Sequence, residues 1–198
     1  MRKDAQANRE RLLEAADRMF RERGVEVSVG EIADAAGVGR GTLFRNFRSK
    51  EELIAAVLSV RVGEVLEYGR DLLETDPDDA EVTFTFLEGL VRRQEENRAL
   101  LQTATDEMYA APEIQRQHTE LMELFGALLD RGKRAGAVRA EATATDMLML
   151  VKGLCMFAPV QQPLSPETIL RHLDLVRAAL TTPAYARPLR GEPAAHPA

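Results

Sequence analysis

The sequence predicts an all-α fold. Apolar residues recur at three- and four-residue spacing along most of the chain, which is the period of an amphipathic helix. Capping residues and glycines divide this pattern into about nine segments of helical length. The one alternating apolar stretch, residues 25–29, is too short to indicate a sheet.

The composition is that of a globular protein, with 45% apolar and 29% charged residues among 198. A single cysteine and three widely separated histidines exclude an internal disulfide and predict neither a metal site nor a cofactor. The sequence contains no uncharged apolar run of membrane-spanning length and no signal-peptide pattern, so we expect a cytoplasmic protein without a membrane partner. The net charge of −6 argues against non-specific coating of nucleic acid.

Local signals place the first four helices. Periodic apolar residues predict a helix over 8–23, which Gly24 ends. Ser28 and Glu31 have the spacing of a capping box and open a short second helix that stops at Gly37. A third short helix covers 40–46, and a second capping box over 49–52 opens a long fourth helix that ends before Pro77.

The later helices begin at capping residues or prolines. Five starts are predicted, near Pro77, Asn97, Pro112, Thr143 and Ser165. The helix from Asn97 extends to about Met108, and helical periodicity is lost after about residue 182. We therefore predict three regions, with a small domain over 1–50, a larger helical domain over 51–182, and a disordered tail over 183–198.

Residues 28–47 have the pattern of a helix-turn-helix. Two short helices flank Ala36-Gly37-Val38-Gly39, where Gly37 can adopt the positive φ of a sharp turn. Leu43 and Phe47 are predicted to face the core. The opposite face of the second helix carries arginine, threonine and asparagine side chains, which are suited to reading bases in a major groove.

Two interpretations of this local pattern remain open. Four basic residues and no acidic residue lie within 36–50, which favours contact with phosphates. However, helix pairs joined by a glycine turn also occur in proteins that bind no DNA, and charged residues on a short helix are often only solvated.

A longer stretch of sequence, residues 11–53, favours the DNA-binding interpretation. The segments RLLEAA (11–16), MFRERG (19–24), EIADAAGV (31–38) and GTLFRNFRSKEEL (41–53) follow one another without gaps. Together they resemble the N-terminal domain of TetR-family transcriptional regulators. The segment RAGAVR (134–139), followed by Thr145 and Asp146, is similar to the SbtR-like group within that family.

The resemblance implies a homodimeric repressor that binds a palindromic operator on double-stranded DNA and is released by a small-molecule effector. It implies DNA contacts from Thr42, Phe44 and Lys50, mostly to the backbone, and a groove-facing position for Arg40, Gly41, Arg45 and Asn46. Ser28 is added to this predicted set. The sequence departs from the family pattern at Gly39, Phe44 and Asn46, where a hydroxyl residue, tyrosine and histidine are usual.

The larger domain supplies predicted ligand and dimer residues. Aromatic and flexible apolar side chains are expected to line an effector pocket between helices: Tyr68, Phe86, Met108, Tyr109, Met122 and Phe125. Most such residues in a helical bundle are simply core. The eighth predicted helix is apolar on more than one face, so the last two helices are expected to form a dimer interface through Met147, Leu150, Val151, Leu154, Leu173 and Val176. Arg61 and His118 could supply a polar anchor for the effector, but the sequence favours a surface position for each.

Two other functions are alternatives to a DNA-binding regulator. A degenerate interaction module that binds no DNA is favoured only by the missing hydroxyl at Phe44. An all-helical enzyme would need a nucleophile–base pair, a metal cluster or a phosphate loop, and no such motif is present in the sequence.

Overall fold

The computed structural model describes residues 2–75, 80–94, 111–156 and 165–187, and these form eight α-helices without a strand. An isolated bridge joins Val138 to Thr181, and the all-α prediction is confirmed. The helices are α1 (Arg2–Arg23), α2 (Val29–Ala35), α3 (Arg40–Asn46), α4 (Lys50–Thr75), α5 (Val82–Gln94), α6 (Pro112–Arg134), α7 (Ala144–Met156) and α8 (Pro166–Leu180).

Two helices differ from their predicted bounds, and one falls outside the described residues. Helix α1 begins at Arg2 instead of Asn8, because its polar first turns make their own side-chain hydrogen bonds, such as Gln6 Nε2 to Glu10 Oε1 at 2.9 Å. Helix α5 begins at Val82 instead of Pro77, with the Glu81 carbonyl accepting from the Phe84 and Thr85 amides. The predicted helix over 97–108 lies outside the described residues.

The described chain divides into two compact units. Unit 1 comprises residues 2–64 and 111–117, and unit 2 comprises 65–75, 80–94, 118–156 and 165–187. The division falls within α4 and within α6, whereas the sequence placed a boundary at residue 50. Helix α4 therefore begins in one unit and ends in the other.

Unit 1 has an apolar core built from the first four helices. Side chains that are fully buried or nearly so include Leu12, Ala16, Phe20, Ile32, Ala33, Leu43, Phe47, Leu53 and Val57. Burying large apolar side chains of this kind contributes about 1.5–3 kcal/mol each. This core, rather than the propensity of two seven-residue helices, stabilises α2 and α3.

Unit 2 is organised around aromatic side chains from α4, α5 and α6. The Tyr68 ring stacks on Phe86 with centroids 5.8 Å apart, and Phe86 meets Phe125 edge-on at 5.9 Å. Gly89 lies under the Tyr68 ring, since a Cβ there would approach the ring atoms to about 2.5 Å. Helix α8 packs against α5 and α7.

The predicted disorder of the tail is wrong for its first five residues. Pro183–Tyr185 form a 3-10 turn, and Thr182 donates from its amide to the Ala137 carbonyl at 3.0 Å. Arg187 forms an ion pair with Glu81 at 3.2 Å. These contacts join the segment to residues far away in sequence, so local composition gave no sign of them.

Among the helices of the described residues, none combines the length and the apolar character that crossing a membrane requires.

Candidate nucleic-acid interface

Helices α2 and α3 form a helix-turn-helix on the unit 1 core. Helices α1, α2 and α3 all contact one another. Leu43 of α3 and Phe47, which caps the C-terminus of α3, are completely buried, as predicted. These two side chains anchor the helix to the core. The opposite face of α3 is therefore held outward by packing along its inner side.

The turn between the helices has the geometry that its glycine predicts. Gly37 adopts a φ of +65°, and the Val38 amide donates to the Ala33 carbonyl at 3.0 Å. Gly39 is the N-cap of α3, with extended backbone and no side-chain hydrogen bond to cap the helix. Replacing a hydroxyl residue by glycine at this position costs only a few tenths of a kcal/mol.

The predicted capping box at the start of α2 is present. The Glu31 amide donates to Ser28 Oγ at 3.3 Å, and the Ser28 amide donates to Glu31 Oε2 at 3.0 Å. Glu31 also pairs with Arg23 at 2.7 Å. The Ser28 amide and hydroxyl, followed by Arg23, lower the pKa of Glu31 to about 2. Ser28 is exposed, but its hydroxyl is already hydrogen-bonded to this carboxylate.

The outward face of α3 carries the predicted recognition residues. Arg40, Gly41 and Arg45 are exposed, and Thr42 and Asn46 are partly exposed. Phe44 is 51% exposed, which is unusual for an aromatic side chain without a polar group. Six of the eight residues that the sequence assigned to a DNA surface thus lie on α3, whereas Ser28 caps α2 and Lys50 begins α4.

Two of these side chains donate to their own helix. Arg45 Nε donates to the Gly41 carbonyl at 3.1 Å, and Asn46 Nδ2 donates to the Thr42 carbonyl at 2.8 Å. Each of these bonds uses one donor, so the Nη groups of Arg45 and the Oδ1 atom of Asn46 can contact a base edge while the bonds are kept. Arg40 differs, because its guanidinium lies against Gly30 of α2.

The start of α4 borders the same surface. Ser49 Oγ accepts from the Glu52 amide at 3.1 Å, and Glu52 accepts from the Arg48 amide at 2.7 Å. The Arg48 amide is the largest cause of the lowered pKa of Glu52. Lys50, the first residue of α4, is partly exposed.

Three contacts within unit 1 escaped the sequence analysis. The Arg9 guanidinium lies over the Phe47 ring, 4.4 Å from its centroid. Arg61 was expected at the surface, but it is only 5% exposed and pairs with Asp17 of α1 at 2.5 Å. Gln117 is buried and donates to the Ser59 carbonyl at 2.8 Å. The sequence does hold a signal for the burial of Arg61, because this residue lies among apolar neighbours on the face of α4 that is predicted to meet the core.

The predicted ligand residues take different positions in unit 2. Phe86 and Phe125 are buried in the aromatic cluster, whereas Tyr68 and Met122 are half-buried. Met108 and Tyr109 lie outside the described residues. A cavity of about 170 Å³ is present elsewhere in unit 2, lined by residues of α5, α8 and the C-terminal segment, among them Phe84, Leu87, Leu173, Arg177 and Arg187. Of the four predicted ligand residues within the described chain, Tyr68, Phe86, Met122 and Phe125, none lines this cavity.

The predicted dimer residues are divided between core and surface. Met147, Leu173 and Val176 are buried within the single chain, because α7, α8 and α5 already cover them. Leu150 and Val151 are half-buried, and the side chain of Leu154 lies outside the described residues. Met149 and Leu175, which are absent from the predicted set, are 58% and 45% exposed on the same two helices.

Two family models match the chain. The model described as bacterial regulatory proteins, tetR family, matches residues 12–57. The model described as transcriptional regulator SbtR-like, C-terminal domain, matches residues 76–182, which is more than half of the chain. The first match covers the helix-turn-helix and the second covers most of unit 2.

Known proteins give the same picture. An HTH-type transcriptional regulator of Staphylococcus aureus strain USA300 is 36% identical over 103 residues, which are 52% of this chain and 56% of that protein. The chain thus spans a little over half the length of the curated relatives it matches.

Solved structures align over more of the chain. A TetR transcription regulatory protein from Mycobacterium vanbaalenii has a TM-score of 0.64 at 29% identity, covering 91% of this chain and 99% of its own. The TetR transcriptional regulator SCO0520 from Streptomyces coelicolor has a TM-score of 0.61 at 28% identity, covering 88% and 99%.

Proposed function

The chain belongs to the tetR family of bacterial regulatory proteins, and on this premise we propose that it is a dimeric, ligand-responsive transcriptional repressor. It binds a palindromic operator through α2 and α3 and is released by a small-molecule effector. Its relatives are transcriptional regulators rather than enzymes.

The observation that carries this proposal is the outward face of α3. Arg40, Arg45 and the neighbouring Lys50 supply positive charge on a helix whose other side is anchored by buried Leu43 and Phe47. No acidic residue lies within 36–50. A rigid helix with an exposed cationic face at this position of a helix-turn-helix is suited to enter a major groove.

Symmetry sets the form of the operator. Two copies related by a two-fold axis present two recognition helices, so the half-sites are inverted repeats separated by about one helical turn or a multiple of it. We infer that the copies associate through α7 and α8, with exposed Met149 and Leu175 and half-buried Leu150 and Val151 contributing to the contact.

The proposed regulation is a shift between two populations. An effector that prefers a dimer with wrongly spaced recognition helices lowers the affinity for the operator. Helix α4 supports this proposal, because it begins beside the DNA surface at Lys50 and continues as one helix into unit 2. The aromatic residues Tyr68, Phe86 and Phe125, together with Met122, Met108 and Tyr109, remain the proposed effector contacts, and their apolar character favours an apolar or aromatic molecule.

The experiment that tests DNA binding selects genomic fragments with the intact protein and then measures variants on the selected duplex. Arg45→Ala and Lys50→Ala should each weaken binding about tenfold, corresponding to about 1.4 kcal/mol. Lys50→Ala should act equally on operator and scrambled DNA, whereas Arg45→Ala should also relax the sequence preference. Arg134→Ala is the control, since it removes an exposed charge from α6 in unit 2.

Failure to enrich any fragment, together with unchanged affinity in both variants, contradicts DNA binding. That outcome favours the alternative of an interaction module, which the missing hydroxyl at exposed Phe44 supports.

A further inference from the structure

Gly30 of α2 and Arg40 of α3 fit together across the helix-turn-helix. A Cβ built on Gly30 would lie 2.8 Å from both Cζ and Nε of Arg40 and closer still to Nη2. The guanidinium therefore occupies the space that a side chain at residue 30 would fill. Gly30 is buried in the first turn of α2, as Ile32 and Ala33 of the same helix are, and Arg40 itself is exposed.

Backbone conformation does not account for a glycine at this position. Gly30 is not among the glycines with positive φ, and it lies inside a regular α-helix. A glycine within a helix costs roughly 0.5–1 kcal/mol relative to alanine. The feature that alanine would lose is the close approach of the Arg40 guanidinium.

Arg40 thus differs from the other polar residues of α3. Arg45 and Asn46 donate to carbonyls of their own helix, whereas the side chain of Arg40 crosses to α2. In a helix-turn-helix complex the first helix crosses the DNA backbone, and the second helix lies in the major groove. The charge of Arg40 is therefore drawn from the groove side toward the helix that faces phosphates.

We propose that Gly30 is a positioning residue that holds the Arg40 guanidinium as a phosphate contact rather than a base-reading group. This inference rests on the proposed function and names the role of one residue within it. A phosphate contact contributes to affinity on every sequence and adds about 0.9 to the salt slope of binding.

The test is a double-variant cycle on two duplexes, one of mixed sequence and one selected from genomic fragments. Arg40→Ala should weaken binding to both duplexes by a similar factor, about tenfold, and reduce the salt slope by about one. Gly30→Ala should cause part of the same loss in the wild type. In the Arg40→Ala background, Gly30→Ala should change affinity by less than about twofold, because the group it displaces is absent.

A conservative variant adds a readout that a purely structural role would not move. Arg40→Lys keeps a point charge but loses the planar fork that pairs with guanine. If Arg40 contacts a phosphate, Arg40→Lys should retain most of the wild-type affinity and show the same sequence preference as the wild type. Gly30→Ala should not lower the melting temperature, because the clash is relieved by moving the flexible end of Arg40. Gly126→Ala, where no atom of the described residues lies within 4 Å of the added Cβ, is the control for helix propensity.

Three outcomes overturn the inference. Loss of affinity in Arg40→Ala on the selected duplex alone identifies a base-reading group. An equal effect of Gly30→Ala in both backgrounds identifies a role of Gly30 that does not depend on Arg40. Full affinity in Arg40→Ala, while Lys50→Ala weakens binding, removes Arg40 from the interface and leaves the proposed function intact. If no genomic fragment is selected and no variant changes the affinity for DNA, the proposed function itself is contradicted.

Discussion

An ion pair between the buried Arg61 and the partly exposed Asp17 joins two helices of unit 1. Arg61 of α4 is 5% exposed and donates from Nε to Asp17 Oδ1 of α1 at 2.6 Å. Arg21, one turn along α1, pairs with the same carboxylate but is itself largely accessible. Because a buried charge is costly when its counter-charge is removed, the two pairs differ strongly in what they contribute to stability.

We therefore expect Asp17→Asn to lower the free energy of unfolding by about 3 kcal/mol, since it removes the carboxylate that neutralises a buried guanidinium. Arg21→Ala should cost less than about 1 kcal/mol, as surface pairs do. Denaturant unfolding at equal protein concentration measures both. A loss in Asp17→Asn no larger than that in Arg21→Ala would contradict this role. Asp17→Leu combined with Arg61→Met should recover much of the stability.

The lowered pKa of Glu31 makes the stability of the folded chain depend on pH. Its folded pKa of about 2 lies below the ordinary value of 4.5, so its contribution to stability is present above pH 4.5 and is lost as the pH falls toward 2. Glu31→Gln should melt below the wild type at pH 7, and the difference between the two melting temperatures should shrink between pH 5 and pH 2. Melting curves by circular dichroism across this range test it, and a difference that is independent of pH would contradict it.

At the scale of elements, the helix boundaries follow from local chemistry. Ser28 with Glu31, Thr143 with Asp146, and Ser165 all act as caps at the predicted helix starts. Their hydrogen bonds satisfy amides within three residues, so the pattern is readable without knowledge of the fold. The start of α1 was missed because its first turns are polar and carry no apolar period.

Glycines within helices distinguish packing from propensity. Gly89 of α5 lies against the Tyr68 ring, whereas no neighbour within the described part of the chain comes within 4 Å of a Cβ added to Gly126 of α6. Gly89→Ala should destabilise unit 2 by about 1–3 kcal/mol through overpacking, and Gly126→Ala should stabilise it by about 0.5–1 kcal/mol. Thermal unfolding of the two variants gives the comparison. Equal shifts of the same sign would show that the Tyr68 contact is not rigid.

At the scale of the whole molecule, charge is divided along the chain. Residues 1–58 have a balance of +1, while the remaining 140 residues have a balance of −7. In physiological salt the interaction between exposed charges is screened beyond about 8 Å. The cations of α3 can therefore attract DNA although the net charge of the whole chain is negative. The acidic remainder opposes indiscriminate binding to polyanions.

The proposed association of two copies through α7 and α8 can be tested by charged substitutions. Met149→Glu and Leu175→Glu place a charge on the exposed apolar positions of α7 and α8, and we expect each to shift the protein from dimer to monomer. Val60→Glu is the control, because it alters a similarly exposed apolar residue of α4 in unit 1. Sedimentation velocity distinguishes the species. A wild type that sediments as a monomer, or variants that remain dimeric, would contradict this interface.

Local sequence patterns were enough to predict the all-α class, most helix starts, the glycine turn at Gly37 and the inward position of Leu43 and Phe47. These features depend on contacts within a few residues, or on a period that one helix displays alone. Three features could be seen only in the folded chain: the burial of Arg61, the contact of Arg40 with Gly30, and the packing of Met147, Leu173 and Val176 against their own chain. Each of these depends on which face of a helix is covered by residues distant in sequence, and the apolar period of a single helix does not contain that information.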